Sequence, residues 1–312
     1  MQDNWEREVL TNLLQAGLKE QRRARRWNIF FKLLGFITFF IVLALLMGWF
    51  GNKEMESVTT GPHTAMVTMR GEISADGEAN VDTVLDGLTQ AFEDKNTKGV
   101  ILSVDSPGGS PVLAGQLHDE MERLKAKHPG VPLYVVVGDI CASGCYYAAV
   151  AADRIYADKA SIVGSIGVLM DGFGFTGVME KFGVERRLLT AGAHKGFLDP
   201  FSPQKPEEKA KAQAMLDEIH TQFIDTVKAG RGKKLATDNP DLFSGLVWSG
   251  ASSIKLGLVD GLGSVDSVAR DVIKAEDVVD FTPQPGYFDR FARRIGVEAA
   301  AKLASEMKLT VH

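Results

Sequence analysis

The chain has 312 residues, 45% of them hydrophobic, and a formal net charge of −5. That length holds one large domain or two small ones. The acidic balance excludes a basic nucleic-acid-binding protein, the apolar content excludes a disordered chain, and two cysteines exclude a disulfide scaffold.

The charge is unevenly placed. Residues 1–32 carry +3, residues 33–50 carry none, and residues 51–312 carry −8. The uncharged run Leu33–Phe50 is nearly long enough at ~1.5 Å per residue to cross a ~30 Å hydrocarbon layer. Ile29, Phe30 and Phe31 extend it, with Lys32 able to snorkel. A transmembrane anchor is therefore expected over 29–50, uncleaved, since the apolar run is longer than a signal peptide's and lies further from the start. Arg22, Arg23, Arg25 and Arg26 precede it and Lys53 follows. This bias predicts a cytoplasmic N-terminus and an outer domain in the periplasm or its equivalent. Trp5, Val9, Leu10, Leu13, Leu14 and Leu18 have helical spacing. That stretch reads as a helix on the membrane face, a helix pairing with its copy, or a plain extension of the anchor.

After a linker at 51–63, a domain is expected over 64–275. Strands are predicted at Thr64–Met69, Gly99–Val104, Leu133–Val137, Arg154–Ala157 and Ile162–Leu169. Helices are predicted at Val81–Ala91, Val112–Lys127, Cys145–Ala152 and Glu207–Ala229. The alternation argues α/β with both sheet faces covered. Residues 276–312 read as a C-terminal helical extension, with Tyr287–Ala304 as its helix.

Loops at the carboxyl ends of buried strands are the default site in such a domain. One reads Asp105-Ser106-Pro107-Gly108-Gly109-Ser110, where adjacent glycines can expose backbone N–H groups to an anion, or simply turn the chain. The other reads Gly138-Asp139-Ile140-Cys141-Ala142-Ser143-Gly144-Cys145. There Ser143 is a nucleophile candidate or a helix cap. Cys141 and Cys145 flank it. A disulfide in so tight a turn is sterically demanding, and two small buried thiols are favoured. No histidine lies between Ser143 and His194. The alternative base is a lysine kept neutral by burial, and Lys195 sits in an apolar, glycine-containing setting.

Taken in order, Asp105-Ser106-Pro107-Gly108-Gly109, Ala142-Ser143-Gly144 with Tyr146-Tyr147, Gly164-Ser165-Ile166-Gly167-Val168, Lys195 with Pro200-Phe201, and Gly245-Leu246-Val247-Trp248 with Gly257-Leu258-Val259-Asp260 resemble the signal peptide peptidase A family. These are membrane-anchored serine peptidases of the Clp protease/crotonase-like fold, in which stacked βα repeats form a spiral superhelix. The resemblance covers about residues 65–270. It implies Ser143 as nucleophile, Lys195 as general base, Ser165 orienting the lysine, and the N–H groups of Gly109 and Gly144 as oxyanion donors. It also implies a homo-oligomer whose sites are shared between subunits, a substrate of apolar signal-peptide remnants, and neither metal nor cofactor. Two positions depart from the pattern: His194 stands where a Tyr is common, and Cys145 where a second glycine is. His194 is a lesser candidate base, because neighbours on an extended segment point to opposite faces. A crotonase-type acyl-CoA enzyme and a non-catalytic membrane scaffold are the competing readings.

Overall fold

The computed structural model describes residues 3–46, 61–77 and 79–283, with side chains in the first stretch described over 19–44. They form two separate units, a long helix and an α/β unit.

Helix α1 runs unbroken over Asp3–Leu46, about 66 Å at the usual rise. Lys19–Ala44 has a mean hydropathy of 2.0 in its most apolar window. Its large side chains, including Phe36, Phe39 and Phe40, are exposed. By length and composition it can cross a membrane. The amphipathic stretch and the apolar run belong to this one helix. Residues 47–50 of the expected span, most of the linker and the predicted helix Tyr287–Ala304 lie outside the described residues.

The second unit is α/β, built of successive strand–helix units as the stacked βα repeat requires. Its strands are β1 (His63–Arg70), β2 (Thr97–Ser106), β3 (Leu133–Ala142), β4 (Arg154–Ala157), β5 (Ile162–Gly164), β6 (Val247–Ser249), β7 (Gly261–Leu262) and β8 (Val278–Asp280). They form one sheet in the order β6-β5-β3-β2-β1-β8, with β4 pairing β3 and β7. Among the described strands only β5 and β6 pair antiparallel. The helices are α2 (Val81–Glu93), α3 (Pro111–Lys127), α4 (Gly144–Ala149), α5 (Thr176–Lys181), α6 (Pro206–Arg231) and α7 (Gly250–Lys255), with a further helical stretch at Val265–Ile273. Because β8 pairs with β1, the sheet continues past residue 275.

Strand alternation explains the two buried clusters. Leu102, Val135 and Val137 meet Leu88 of α2 and Leu117 and Leu124 of α3. Ile101 and Val136 point the other way and meet Tyr156, Val268 and Ala269. Each fully buried leucine or isoleucine is worth about 1.5–3 kcal/mol over an exposed one. Both faces are thus covered, as the continuous apolar runs of β2 and β3 require.

Two departures from the sequence expectations shape the site. Strand β3 continues to Ala142 because it bulges: Val104 pairs with Val137, but Ser106 pairs with Cys141. One edge of β3 therefore serves β4 over Tyr134–Val137 and β5 over Ile140–Ala142. Strand β5 ends at Gly164 rather than Leu169, because Gly164 and Ser165 both adopt positive φ (113° and 52°) and turn the chain out of the sheet.

Candidate active site

The two glycine-bearing loops leave the adjacent ends of β2 and β3 and touch. A Cβ on Gly108 (φ +102°) would lie 2.7 Å from the Ala142 carbonyl oxygen and from the Gly144 nitrogen, and one on Gly109 (φ +150°) would overlap the Ile73 carbonyl oxygen. No side chain fits at either place, so the glycine pair is required by close approach as well as by backbone conformation. The loop is held on its other side by hydrogen bonds from the Ile73 N–H to the Gly108 carbonyl and from the Ser110 N–H to the Ile73 carbonyl.

Ser110 and Ser143 both stand at helix N-caps and behave differently. The Ser110 side chain accepts from the Leu113 N–H and caps α3. Ser143 makes no side-chain cap to α4, so the capping alternative falls away and its hydroxyl is left for other work. Its backbone is at φ 54°, ψ −124°, a conformation costing a non-glycine residue about 1–3 kcal/mol. The cost is met by surrounding structure. The Ser143 N–H donates to the Gly164 carbonyl at 2.9 Å, and the Ser143 carbonyl accepts from Tyr147 at 3.0 Å.

Cys141 and Cys145 form a disulfide across this turn. The expectation of two free thiols is corrected. A separation of four residues would be awkward in a regular strand or helix, but the reversal at Ser143 brings the two Cα atoms to 5.2 Å, within the usual disulfide range.

Gly109, Ser143, Gly144 and Ser165 line one cavity of about 560 Å³. Ser143 and Ser165 are half-buried and Gly144 is buried. Gly144 opens α4, where first-turn amides lack an intrahelical acceptor. The Gly109 amide donates to no carbonyl among the described backbone hydrogen bonds. Both glycines thus line the cavity together with Ser143. The Ser165 N–H donates to Leu246 at 2.8 Å, which fixes the second serine against the segment leading into β6. Apolar walls come from Ala114, Tyr147, Leu169 and Val168, and from Ile219 and Phe223 of α6. The sequence showed α6 as a helix, but its pocket-facing residues were not singled out. The helical spacing of Ile219, Gln222 and Phe223 is the signal that marks that face.

Lys195 is not among the cavity residues. It is exposed, in a run of turns over 191–198, where its N–H bonds the Gly192 carbonyl. The extended geometry used to separate His194 from Lys195 is therefore corrected, and His194 is likewise exposed and outside the cavity. The turn is nonetheless anchored. Glu208, at the start of α6 and 4% exposed, accepts from the Leu198 N–H and from Lys205, each at 3.2 Å. These bonds hold its carboxyl below the usual carboxylate range, the Leu198 amide first. Phe201 stacks on Phe175, and Arg186 lies over the Phe201 ring and pairs with Asp199 at 3.0 Å. Among the described residues no cluster of His, Cys, Asp and Glu could hold a metal.

Residues 125–279 match Peptidase family S49. The chain belongs to this family. Within the S49 match lie Ser143, Ser165 and Lys195, while Gly109 precedes it. The S49 chain is 44% identical over 218 residues to a Brucella melitensis protein named Na(+)/H(+) antiporter NhaA, covering 69% of this chain and 29% of that protein. It is 33% identical over 221 residues to Protease 4 of Haemophilus influenzae, covering 69% and 35%. It is 28% identical over 218 residues to the chloroplastic serine protease SPPA of Arabidopsis thaliana, covering 69% and 31%. The chain thus spans about a third of the length of these curated relatives.

Proposed function

We propose that this S49 chain is a membrane-anchored serine peptidase that hydrolyses apolar peptides through Ser143 and Lys195. The observation that carries the reading is the uncapped Ser143 hydroxyl at positive φ, at a cavity it shares with Gly109, Gly144 and Ser165. Ser143 Oγ attacks the scissile carbonyl while its proton passes to the neutral Lys195 amine. The oxyanion is held by the N–H groups of Gly109 and Gly144. Collapse expels the amine half of the substrate, which takes the proton from Lys195 and leaves an acyl-serine. Water, deprotonated by Lys195, then attacks the ester and restores Ser143. Ser165 orients the lysine.

Lys195 enters from a neighbouring copy. Its own chain leaves it exposed and outside the cavity, and a neutral amine requires dry surroundings. The segment that carries it is also unusually apolar at its surface. Leu189 is 96% exposed, and Phe173 and Phe182 are each 80% exposed. Large apolar side chains left this exposed are a feature of association sites. A second copy seated there would cover it and bring the amine to Ser143.

The apolar walls and the apolar helix α1 favour hydrophobic peptides reached at a membrane, with signal-peptide remnants as the natural class. The basic residues before the span support a cytoplasmic N-terminus, with the catalytic unit outside, across the inner membrane. The disulfide agrees, since such bonds persist in oxidising compartments. An acyl-CoA enzyme of crotonase type would use the same amides but gives Ser143 no reason for its costly backbone. The deciding experiment treats the assembled protein with a fluorophosphonate and locates the adduct by mass spectrometry. The expected site is Ser143. Absence of an adduct in a protein that is assembled and intact overturns the mechanism and favours a scaffold.

A further inference from the structure

The only two cysteines of the chain close a five-residue ring around Ser143. Both are 0% exposed. Cys141 is fixed in the sheet, paired with Ser106 of β2 and Val163 of β5. Cys145 lies in the first turn of α4. The bond therefore ties the last turn of a strand to the first turn of a helix, directly across the residue whose φ of 54° and ψ of −124° a serine does not adopt unless it is held there. Two backbone hydrogen bonds also hold Ser143, one from its N–H to the Gly164 carbonyl of β5 and one from the Tyr147 N–H of α4 to its carbonyl, but neither ties β3 to α4 across the turn. The disulfide is the one covalent link between β3 and α4 besides Ala142-Ser143-Gly144 itself.

We infer that the Cys141–Cys145 disulfide is a positioning clamp for Ser143, so that the reactivity of this serine depends on the oxidised state of the pair. The inference rests on the assignment of Ser143 as nucleophile given above. A dithiol reductant supplies two electrons and two protons. The Cys141–Cys145 bond breaks, each cysteine ends as a thiol, and the reductant becomes a cyclic disulfide. Ser143 is then free to relax toward ordinary backbone angles, carrying its hydroxyl and the Gly144 amide away from a common target. Exported and oxidised, the chain is competent; held reduced, it is not. The two sulfur atoms stay buried in either state, so the fold survives while the serine slackens.

The test follows fluorophosphonate labelling of the full-length, assembled protein, oxidised and after dithiothreitol treatment, with free thiols counted by alkylation and mass spectrometry. The same is done with the double variant Cys141→Ala/Cys145→Ala. Reduction is expected to slow labelling of Ser143 by about 10- to 100-fold, the scale of a misplacement near 1 Å. Reoxidation restores the rate. The double variant is expected to label slowly and to ignore dithiothreitol. Assembly and unfolding temperature are followed in parallel, because loss of labelling that merely tracks loss of folded protein overturns the clamp. So does equal labelling of a wild type with two free thiols, or labelling of the double variant at the oxidised wild-type rate. Where the buried bond resists dithiothreitol, the double variant alone decides. Failure of the oxidised wild type to label at all sinks the Ser143 assignment instead, and the two failures are thus told apart.

Discussion

Ser143 and Ser165 leave paired strands side by side. The register joins Ala142 to Gly164, the Ser143 amide bonds the Gly164 carbonyl at 2.9 Å, and each serine turns to a φ just above 50°. Both line the same cavity. One strand pair therefore delivers two hydroxyls to one place, each on a backbone that resists a Cβ.

This separates backbone from hydroxyl at Ser165. Ser165→Gly keeps the turn without strain and should hold or raise stability by less than about 1 kcal/mol. Ser165→Ala keeps the steric cost of positive φ and should be the less stable of the two. Both lose the hydroxyl and should lower kcat about 10- to 100-fold with little change in KM. Steady-state kinetics and thermal unfolding read the two effects independently.

Shared sites predict complementation. Ser143→Ala and Lys195→Ala should each lower peptide hydrolysis by at least about 10⁴-fold while still assembling. Co-expressed in one assembly, they should recover a measurable fraction of activity, because some interfaces join an intact Ser143 to an intact Lys195. Strict inactivity of verified mixed assemblies would show that one chain supplies both groups.

Gly109→Ala sets a Cβ against the Ile73 oxygen and should cost at least about 2 kcal/mol through clash and backbone strain. Under the proposed mechanism it should also abolish fluorophosphonate labelling, because the clash displaces a backbone amide that holds the oxyanion. Thermal unfolding and labelling rates check both. Unchanged stability would mean that the loop yields more readily than its contacts imply.

Acid should act at two hydrogen-bonded carboxylates, Asp260 and Glu208. Burial raises the Asp260 value, but hydrogen bonds from Arg231, Lys234 and the Ile155 N–H outweigh it and leave it below the ordinary 3.8. Arg231 is 2.7 Å away and nearly inaccessible. A carboxylate depressed on folding contributes stability that is complete above its unfolded value and lost as pH falls through the folded one. Glu208 follows the same rule from its ordinary 4.5. Stability should therefore fall below about pH 4, and Asp260→Asn should flatten that fall while costing about 3–5 kcal/mol at neutral pH, because Arg231 is left buried without its partner. Urea unfolding across pH measures both.

Much of this was legible in the residues. β2 and β3 are apolar runs bounded by turn residues, and β4 is found at its predicted bounds, because both sheet faces demand apolar side chains. The glycine loops announced themselves through composition. Other features depend on contacts between distant segments. The early end of β5 follows from the turn at Gly164 and Ser165, held by the bond from the Ser165 N–H to the distant Leu246 carbonyl. The disulfide follows from the Ser143 reversal, which spacing alone does not reveal. The pocket face of α6 depends on where that helix docks, and the exposed setting of Lys195 depends on a turn pinned by Glu208 from ten residues away. In each case a local pattern names the residue type, and tertiary packing decides where it points.

The separation of Lys195 from the cavity of its own chain has a consequence for the life of the protein. Under the proposed mechanism a newly made subunit is inactive until it assembles. Its activation is an encounter with its own kind, so the amount of protein in the membrane sets both how many active sites exist and whether any exist at all. Activity would then rise more steeply than abundance, and a subunit still in transit would spare the apolar segments it passes.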